Sequence, residues 1–464
     1  MNRLPQALAA VLLVCGCADV SQPAYRRPDA PQKAGYAQRE GAPVSASETI
    51  SPEWWKGFHD PYLDHLVARA IAGNIDIRIL AARTRVADAQ IGEARAGALP
   101  TLDAGAGASF EKVTGQKFAR QFNVGTQVNW DLDVWGKVEK GVLAQKAEFQ
   151  ASEADWRAGY LSMVADVSTA YFQILQLDEQ SARQQQALAR SRQILATYEA
   201  MHANGVLPNT RVLQQRAEIN RLASDLLELR RSRDLAGNAL ATLLGVPAGE
   251  FTVPPGRLQQ SVQMPPVPAG LPAQLLERRP DIVAAEFRVL EAYNLVGQAK
   301  LAQLPSISLT GRGGSASFAL TDLLKTFTVG LLPSINLPMF DPGVKARIKT
   351  SQAQGELAEE QYRRTVIGAF EEVENALVNL DAHRKQRTEL QQQVEQLEIV
   401  GRQFADQLRE GVVSQLDVFE SERSLLSAQL ALLANHQQLL ADTVTLYKAM
   451  GGGWPAVVVG VAAR

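Results

Sequence analysis

The sequence predicts an internally duplicated chain of mixed class, in which a few membrane-type β-strands alternate with very long α-helices. Three observations carry this: a repeat of about two hundred residues, four segments with strict two-residue alternation, and two long stretches without proline. Asp76-Ile77, Arg83, Gly92, Ala94 and Leu99-Pro100 return 205 residues later as Asp281-Ile282, Arg288, Gly297, Ala299 and Leu304-Pro305. Gly205-Val206, Val212, Ile219, Leu222 and Leu226 return at an offset of 206 as Gly411-Val412, Val418, Leu425, Ala428 and Leu432. A period this long is duplication of a whole domain rather than a solenoid.

Each copy reads helix, two strands, long helix, helix. In the first strand Leu102, Ala104, Ala106, Ala108 and Phe110 alternate with Asp103, Gly105, Gly107 and Ser109. In its partner Phe122, Val124, Thr126, Val128, Trp130 and Leu132 alternate with Asn123, Gly125, Gln127, Asn129 and Asp131. The second copy sets Ile307 and Leu309 against Ser306, Ser308, Thr310 and Arg312, and Phe327, Val329, Leu331, Ile335 and Leu337 against Thr328, Gly330, Ser334 and Asn336. One strand of this kind fits a half-buried soluble sheet. Four, each of about ten residues and with small or polar residues on one face, fit a barrel with lipid outside and water inside.

Gly136 to Asn204 and Gly343 to Glu410 contain no proline, so each can run as a helix of roughly 100 Å at 1.5 Å per residue. Tyr160, Val164, Val167, Tyr171 and Ile174, then Ile219, Leu222, Leu226 and Leu229, mark heptad-like seams, the pattern of helices packed side by side. The faces between the seams are rich in Gln, Arg, Glu and Ala. A proline-rich stretch, Val246 to Pro272, joins the copies.

At the N-terminus Arg3, the apolar run Leu8 to Val14, and Val14-Cys15-Gly16-Cys17 read as an export signal too short to span a bilayer. The pattern resembles a bacterial lipoprotein signal, which implies cleavage before Cys17 and acylation of its sulfur and amine; an ordinary secretory signal with an incidental cysteine fits less well, because a second small residue precedes Cys17, and several acyl chains make stable anchoring. Ala18 after the cysteine favours passage to the outer membrane. Cys15 and Cys17 are the only cysteines, which excludes a disulfide framework. The 47 Lys and Arg against 49 Asp and Glu, without a basic block, argue against a nucleic-acid partner. His59, His65, His202, His383 and His436 are scattered, and no phosphate-cradling loop exists, so neither a metal, a cofactor nor an enzyme is expected. His59 and His65 beside Asp60 and Asp64 read as surface residues of a first helix.

Four strands cannot close, and an open edge cannot sit in hydrocarbon because its unpaired N–H and C=O groups cost several kcal/mol each. Two chains would give eight strands and a filled interior; three give twelve and a water-filled lumen, which predicts a homotrimer embedded in outer-membrane lipid.

Several motifs resemble the outer-membrane factor family of TolC-type efflux ducts, and especially its lipoprotein branch serving resistance-nodulation-division pumps. These are Trp54-Trp55 with Phe58, Asp60-Pro61 and Leu63; Leu99-Pro100; Asp131-Leu132-Asp133-Val134-Trp135-Gly136; Arg279-Pro280-Asp281; Phe340-Asp341; Glu372-Val373-Glu374; and Tyr447-Lys448-Ala449 ahead of Gly451-Gly452-Gly453-Trp454. Their order and spacing cover almost the whole mature chain.

The resemblance implies a trimeric outer-membrane β-barrel of twelve strands, continuous with a periplasmic α-helical barrel and a small equatorial domain. It implies a signal peptide over 1–16, a lipid-anchored segment over 17–58, repeats over 59–245 and 272–453, an equatorial linker over 246–271 and a tail over 454–464. The tip turns Gly205-Val206 and Gly411-Val412 then face a periplasmic adaptor, and the energy comes from an inner-membrane pump. In the lipoprotein branch a leucine and an acidic residue four positions later form the constriction; here these are Leu416 and Glu420. Three Glu420 side chains meeting at the axis call for cations, for Arg423 or for a proton. Family members often carry Asp where this chain has the longer Glu420.

The function expected is a passive exit duct for drugs or other small toxic solutes. The lipoprotein start and the short tail favour it over a duct for ATP-driven protein secretion. A third reading is a non-conducting coiled-coil lipoprotein that spans the periplasm.

Overall fold

A computed structural model of the chain describes residues 20, 22–29, 51–112, 114–115, 118–265 and 278–454. The signal peptide and Cys17, part of the linker and the tail from 455 on lie outside the described residues.

The first helices are α1, Pro61–Gly73, and α2, Ile75–Ala96, followed by strands β1, Thr101–Glu111, and β2, Ala119–Leu132. The long helix α3, Lys137–Ala203, turns into α4, Asn209–Leu243. The second copy repeats the order as α5, Pro280–Leu301; β3, Ser306–Ser317; β4, Thr328–Asn336; α6, Pro342–Arg409; and α7, Gln415–Ala449. The copies match closely in length: 22 residues in α2 and α5, 67 in α3 against 68 in α6, and 35 in α4 and α7. No described helix is long and apolar enough to cross a membrane.

The chain divides into two compact units, and each draws on both repeats: Ala82–Ala154 with Ile282–Thr365 in one, Asp155–Asp281 with stretches on either side in the other. The first holds the sheet, an antiparallel meander in the order β1-β2-β3-β4. Its register pairs Leu102 with Val128 and Asp103 with Gln127, then Gln127 with Arg312 and Arg312 with Gly330. Alternate residues therefore share a face across all four strands. The apolar face is bare within one chain: Leu102 is 71% and Val329 80% exposed. β1 and β4 are edges.

The turns between strand and helix are built locally. Gly136 takes φ +74°, and Asp133 accepts from the Glu139 amide at 2.9 Å, while the Trp135 indole donates to the Pro305 carbonyl at 2.7 Å. In the second copy Asp341 caps α6 by accepting from the amides of Gly343 and Val344. Gln22 reaches the Tyr293 carbonyl on α5, and Arg27 pairs with Glu286.

The second unit holds the main core. The seam Tyr160, Val164, Val167, Tyr171 and Ile174 is buried, as its spacing predicts, together with Trp54, Phe58, Leu63, Leu66, Leu240 and Val444. Trp54 stacks on Tyr447 at 5.2 Å. Asp60 is a buried cap of α1: it accepts from the Tyr62 and Leu63 amides and from the Tyr171 hydroxyl at 2.9 Å. His59 and His65 beside it are exposed. The buried Arg279 guanidinium donates to both Asp281 carboxylate oxygens, to Glu372 and to the Ala449 carbonyl, a charge-assisted clamp between α5, α6 and the end of α7. Gly451 stands at φ +84°, and a side chain there would meet the Arg278 backbone at 3.0 Å.

Candidate gate and tip turns

The turns joining α3 to α4 and α6 to α7 have the same construction. After Ala203 the chain closes with Val206 donating to the Met201 carbonyl and Gly205 to that of His202. After Arg409 Val412 donates to Gln407 and Gly411 to Leu408. Both are Schellman closures, whose C′ residue must be left-handed; Gly205 and Gly411 have φ of +72° and +74°. Open space surrounds both glycines, so only the backbone conformation demands them. Val206 and Val412 follow, 68% and 70% exposed. Two valines at the same point of two matched turns form a repeated apolar feature.

Past the turns the copies differ. Helix α4 begins after Pro208, which offers no side-chain cap, and the His202 ring and the Asn204 amide tie the preceding turn to backbone carbonyls instead. Helix α7 begins with a full capping box: Asp417 donates its amide to the Ser414 hydroxyl, and the Ser414 amide donates to the Asp417 carboxylate at 2.8 Å. Hydrogen bonds from the Ser414 side chain and backbone hold the Asp417 carboxyl below its ordinary range. The Ser-x-x-Asp spacing is the signal that marks this start.

Leu416 lies one residue into α7 and is 41% exposed; Glu420 and Arg423 are exposed one and nearly two turns further on. The spacing of four puts Leu416 and Glu420 on one face of the helix. Within the chain no ion pair joins Glu420 to Arg423, and neither has a side-chain partner among the described residues. Arg423 instead lines a groove of about 330 Å³ with Arg190, Glu218, Arg221, Phe419 and Glu422. At the offset of 206 the first copy carries Thr210, Gln214 and Ala217 in these places. The leucine, the acid and the base thus occur in one copy only. Among the described residues no cluster of His, Cys, Asp or Glu could hold a metal.

A four-stranded sheet with two raw edges and one apolar face, in a chain of paired long helices, defines a protomer of an outer-membrane duct. Comparison with known proteins agrees. The pattern of the outer membrane efflux protein family matches residues 66–246 and 271–452, and the chain belongs to that family. It is 28% identical over 466 residues to the probable outer membrane lipoprotein SilC of Salmonella typhimurium, covering 97% of this chain and 98% of that one. The pyoverdine export outer membrane protein OpmQ of Pseudomonas aeruginosa is 30% identical, with 89% and 90% covered. Among solved structures, the open state of the MtrE outer membrane channel of Neisseria gonorrhoeae superposes with a TM-score of 0.84 at 30% identity, covering 94% of this chain and 98% of that one. The chain is an efflux channel of the outer membrane, and its family members are channel proteins rather than enzymes.

Proposed function

We propose that three copies of this chain close one twelve-stranded barrel and conduct drugs or other small toxic solutes out of the periplasm, with Cys17 lipidated as the anchor. The unpaired edges β1 and β4, bare beside an apolar face, carry this reading. Backbone polar groups in hydrocarbon must all be paired, and joining β4 of one copy to β1 of the next pairs them. The repeats over 59–245 and 272–453, with the equatorial linker between them, give each copy two helix pairs. The tip is the end at Gly205-Val206 and Gly411-Val412, where exposed valines meet a periplasmic adaptor and, through it, an inner-membrane pump that supplies the energy.

The constriction lies on the second copy alone. Leu416 and Glu420 face the axis there, and Arg423 stands behind them. Planar-bilayer recording tests both parts. Leu416→Ala with Glu420→Ala raises the open conductance above that of the wild type and lets antibiotics into cells. Conductance and antibiotic entry unchanged by the double variant would remove these residues from the gate.

A further inference from the structure

The polar face of the sheet carries one positive charge. Among the described strand residues of that face the acids are Asp103, Glu111 and Asp131, and the only base is Arg312, in the middle of β3. Arg312 shares a cross-strand row with an acid: Asp103, Gln127, Arg312 and Gly330 lie side by side on β1, β2, β3 and β4. Strands are about 4.8 Å apart, so roughly 10 Å of backbone and the neutral Gln127 separate the two charges. No ion pair links them, and neither has a side-chain partner among the described residues. Arg312 is exposed.

The wall beside Arg312 cannot be filled. Gly125 pairs with Gly314 in the next row, and a side chain at Gly314 would stand 2.9 Å from the Val124 carbonyl oxygen, one at Gly125 3.1 Å from that of Gly313. With Gly105 and Gly330 these residues line a concavity of about 650 Å³, into which Arg312, Asp103 and Gln127 open. The amides beneath are spent on the strand ladder. The guanidinium, with five N–H donors, is the strong donor of this part of the wall.

We infer that Asp103 and Arg312 set the charge selectivity of the barrel section of the duct. This rests on the reading of three closed copies. Twelve strands tilted by about 40° give a backbone radius of about 12 Å. The Debye length is about 10 Å at 0.1 M salt, so charges on the wall reach solutes across most of the lumen. Three Arg312 side chains draw in anions and slow cations, and three Asp103 side chains in the same row do the reverse. Together they make a staggered ring of alternating sign, its acids and bases offset along the axis by about 6 Å because the paired rows run perpendicular to the tilted strands, and a zwitterion passes it more readily than a solute of either single charge. The acids Glu111 and Asp131 lie in other rows, so Arg312 is the element that keeps the barrel from being uniformly cation-selective.

The test is the reversal potential of the trimer in planar bilayers under a gradient of about 0.1 M against about 0.01 M KCl. Arg312→Gln shifts the ratio of potassium to chloride permeability upward by about twofold or more, Asp103→Asn shifts it downward, and Arg312→Lys leaves it in place. The shifts shrink near 1 M salt, where the Debye length is about 3 Å. If Arg312→Gln does not assemble, Asp103→Asn and Arg312→Lys decide alone. Channels that conduct while both neutral variants keep the wild-type reversal potential, or move it in the same direction, overturn the ring and leave the duct intact. A wild type that never conducts overturns both.

Discussion

The two helix pairs that descend from the duplication have nearly the same lengths but are held together differently. In the first, α3 and α4 interlock: Gln215 donates to the Ser191 carbonyl at 2.9 Å and contacts its hydroxyl at 2.7 Å, Gln184 donates to the Leu222 carbonyl, and Arg216 pairs with Glu199. Leu188, Leu222 and Leu226 form a small apolar cluster between them. In the second, Asn435 donates to the His383 carbonyl and to Gln386, and His383 meets Asp442 at 2.6 Å. Tipward of that level no hydrogen bond or ion pair joins residues 387–409 to 415–434 among the described residues, and α6 buries nothing after Leu380. Position 215 of the first copy corresponds to Ser421 in the second, whose buried hydroxyl has no partner. The two rods are alike in length, yet the first pair is fastened along its length and the second is loosely joined around Leu416 and Glu420.

The largest expected effect follows from that asymmetry. Leu416→Ala with Glu420→Ala raises channel conductance, whereas Thr210→Ala with Gln214→Ala, its first-copy mirror, leaves conductance at the wild-type level. An increase matching that of the Leu416 and Glu420 variant would erase the distinction between the copies. Amide exchange sharpens it next. The tipward third of α6 and the start of α7 exchange about tenfold or more faster than the matching parts of α3 and α4, since few buried contacts oppose local opening there; equal protection would break the comparison.

Single substitutions probe the same contrast at smaller scale. Gln215→Ala leaves Ser191 without its partner and costs about 1–3 kcal/mol, whereas Ser421→Ala removes an unpartnered hydroxyl and costs nothing measurable in the same chemical denaturation experiment. The smallest effect is a pH dependence that centres on a carboxyl present in the second copy only. Glu291 on α5 is pushed up from its ordinary 4.5 to about 7, first by burial and then by the charge of Glu148 on α3, with which it is hydrogen-bonded; the first copy has Val86 at this position. The carboxyl binds its proton more tightly folded than unfolded. Its contribution is therefore complete below pH 4.5 and is lost as pH rises through about 7. Glu291→Gln flattens the dependence of thermal stability on pH across this window, and a dependence that survives the substitution assigns it elsewhere.

Much of this architecture is legible in the sequence because it rests on periodicity. The alternation from Leu102 to Phe110 locates β1 to within a residue at each end, the absence of proline bounds α3 and α6, and glycine after a long helix marks both tip turns. Contacts between residues far apart in the chain leave no such trace. Arg279 reaches Glu372 and Ala449, 93 and 170 positions away, and Asp60 serves Tyr171, 111 positions on. These residues stand in the motifs that carry the family resemblance, yet their spacing says nothing of the clamp and the cap they form. The candidate gate reads only halfway: the sequence supplies Leu416 and Glu420 four apart, while the direction they face in the proposed trimer depends on three chains.

In the proposed trimer the raw edges of the sheet also set how the cell acquires pores. An association that needs three chains responds steeply to supply, so halving the free protomer lowers the rate of a third-order encounter by up to about eightfold. Small changes in expression are thereby amplified into large changes in the number of ducts, and a stray single chain leaves the permeability barrier whole.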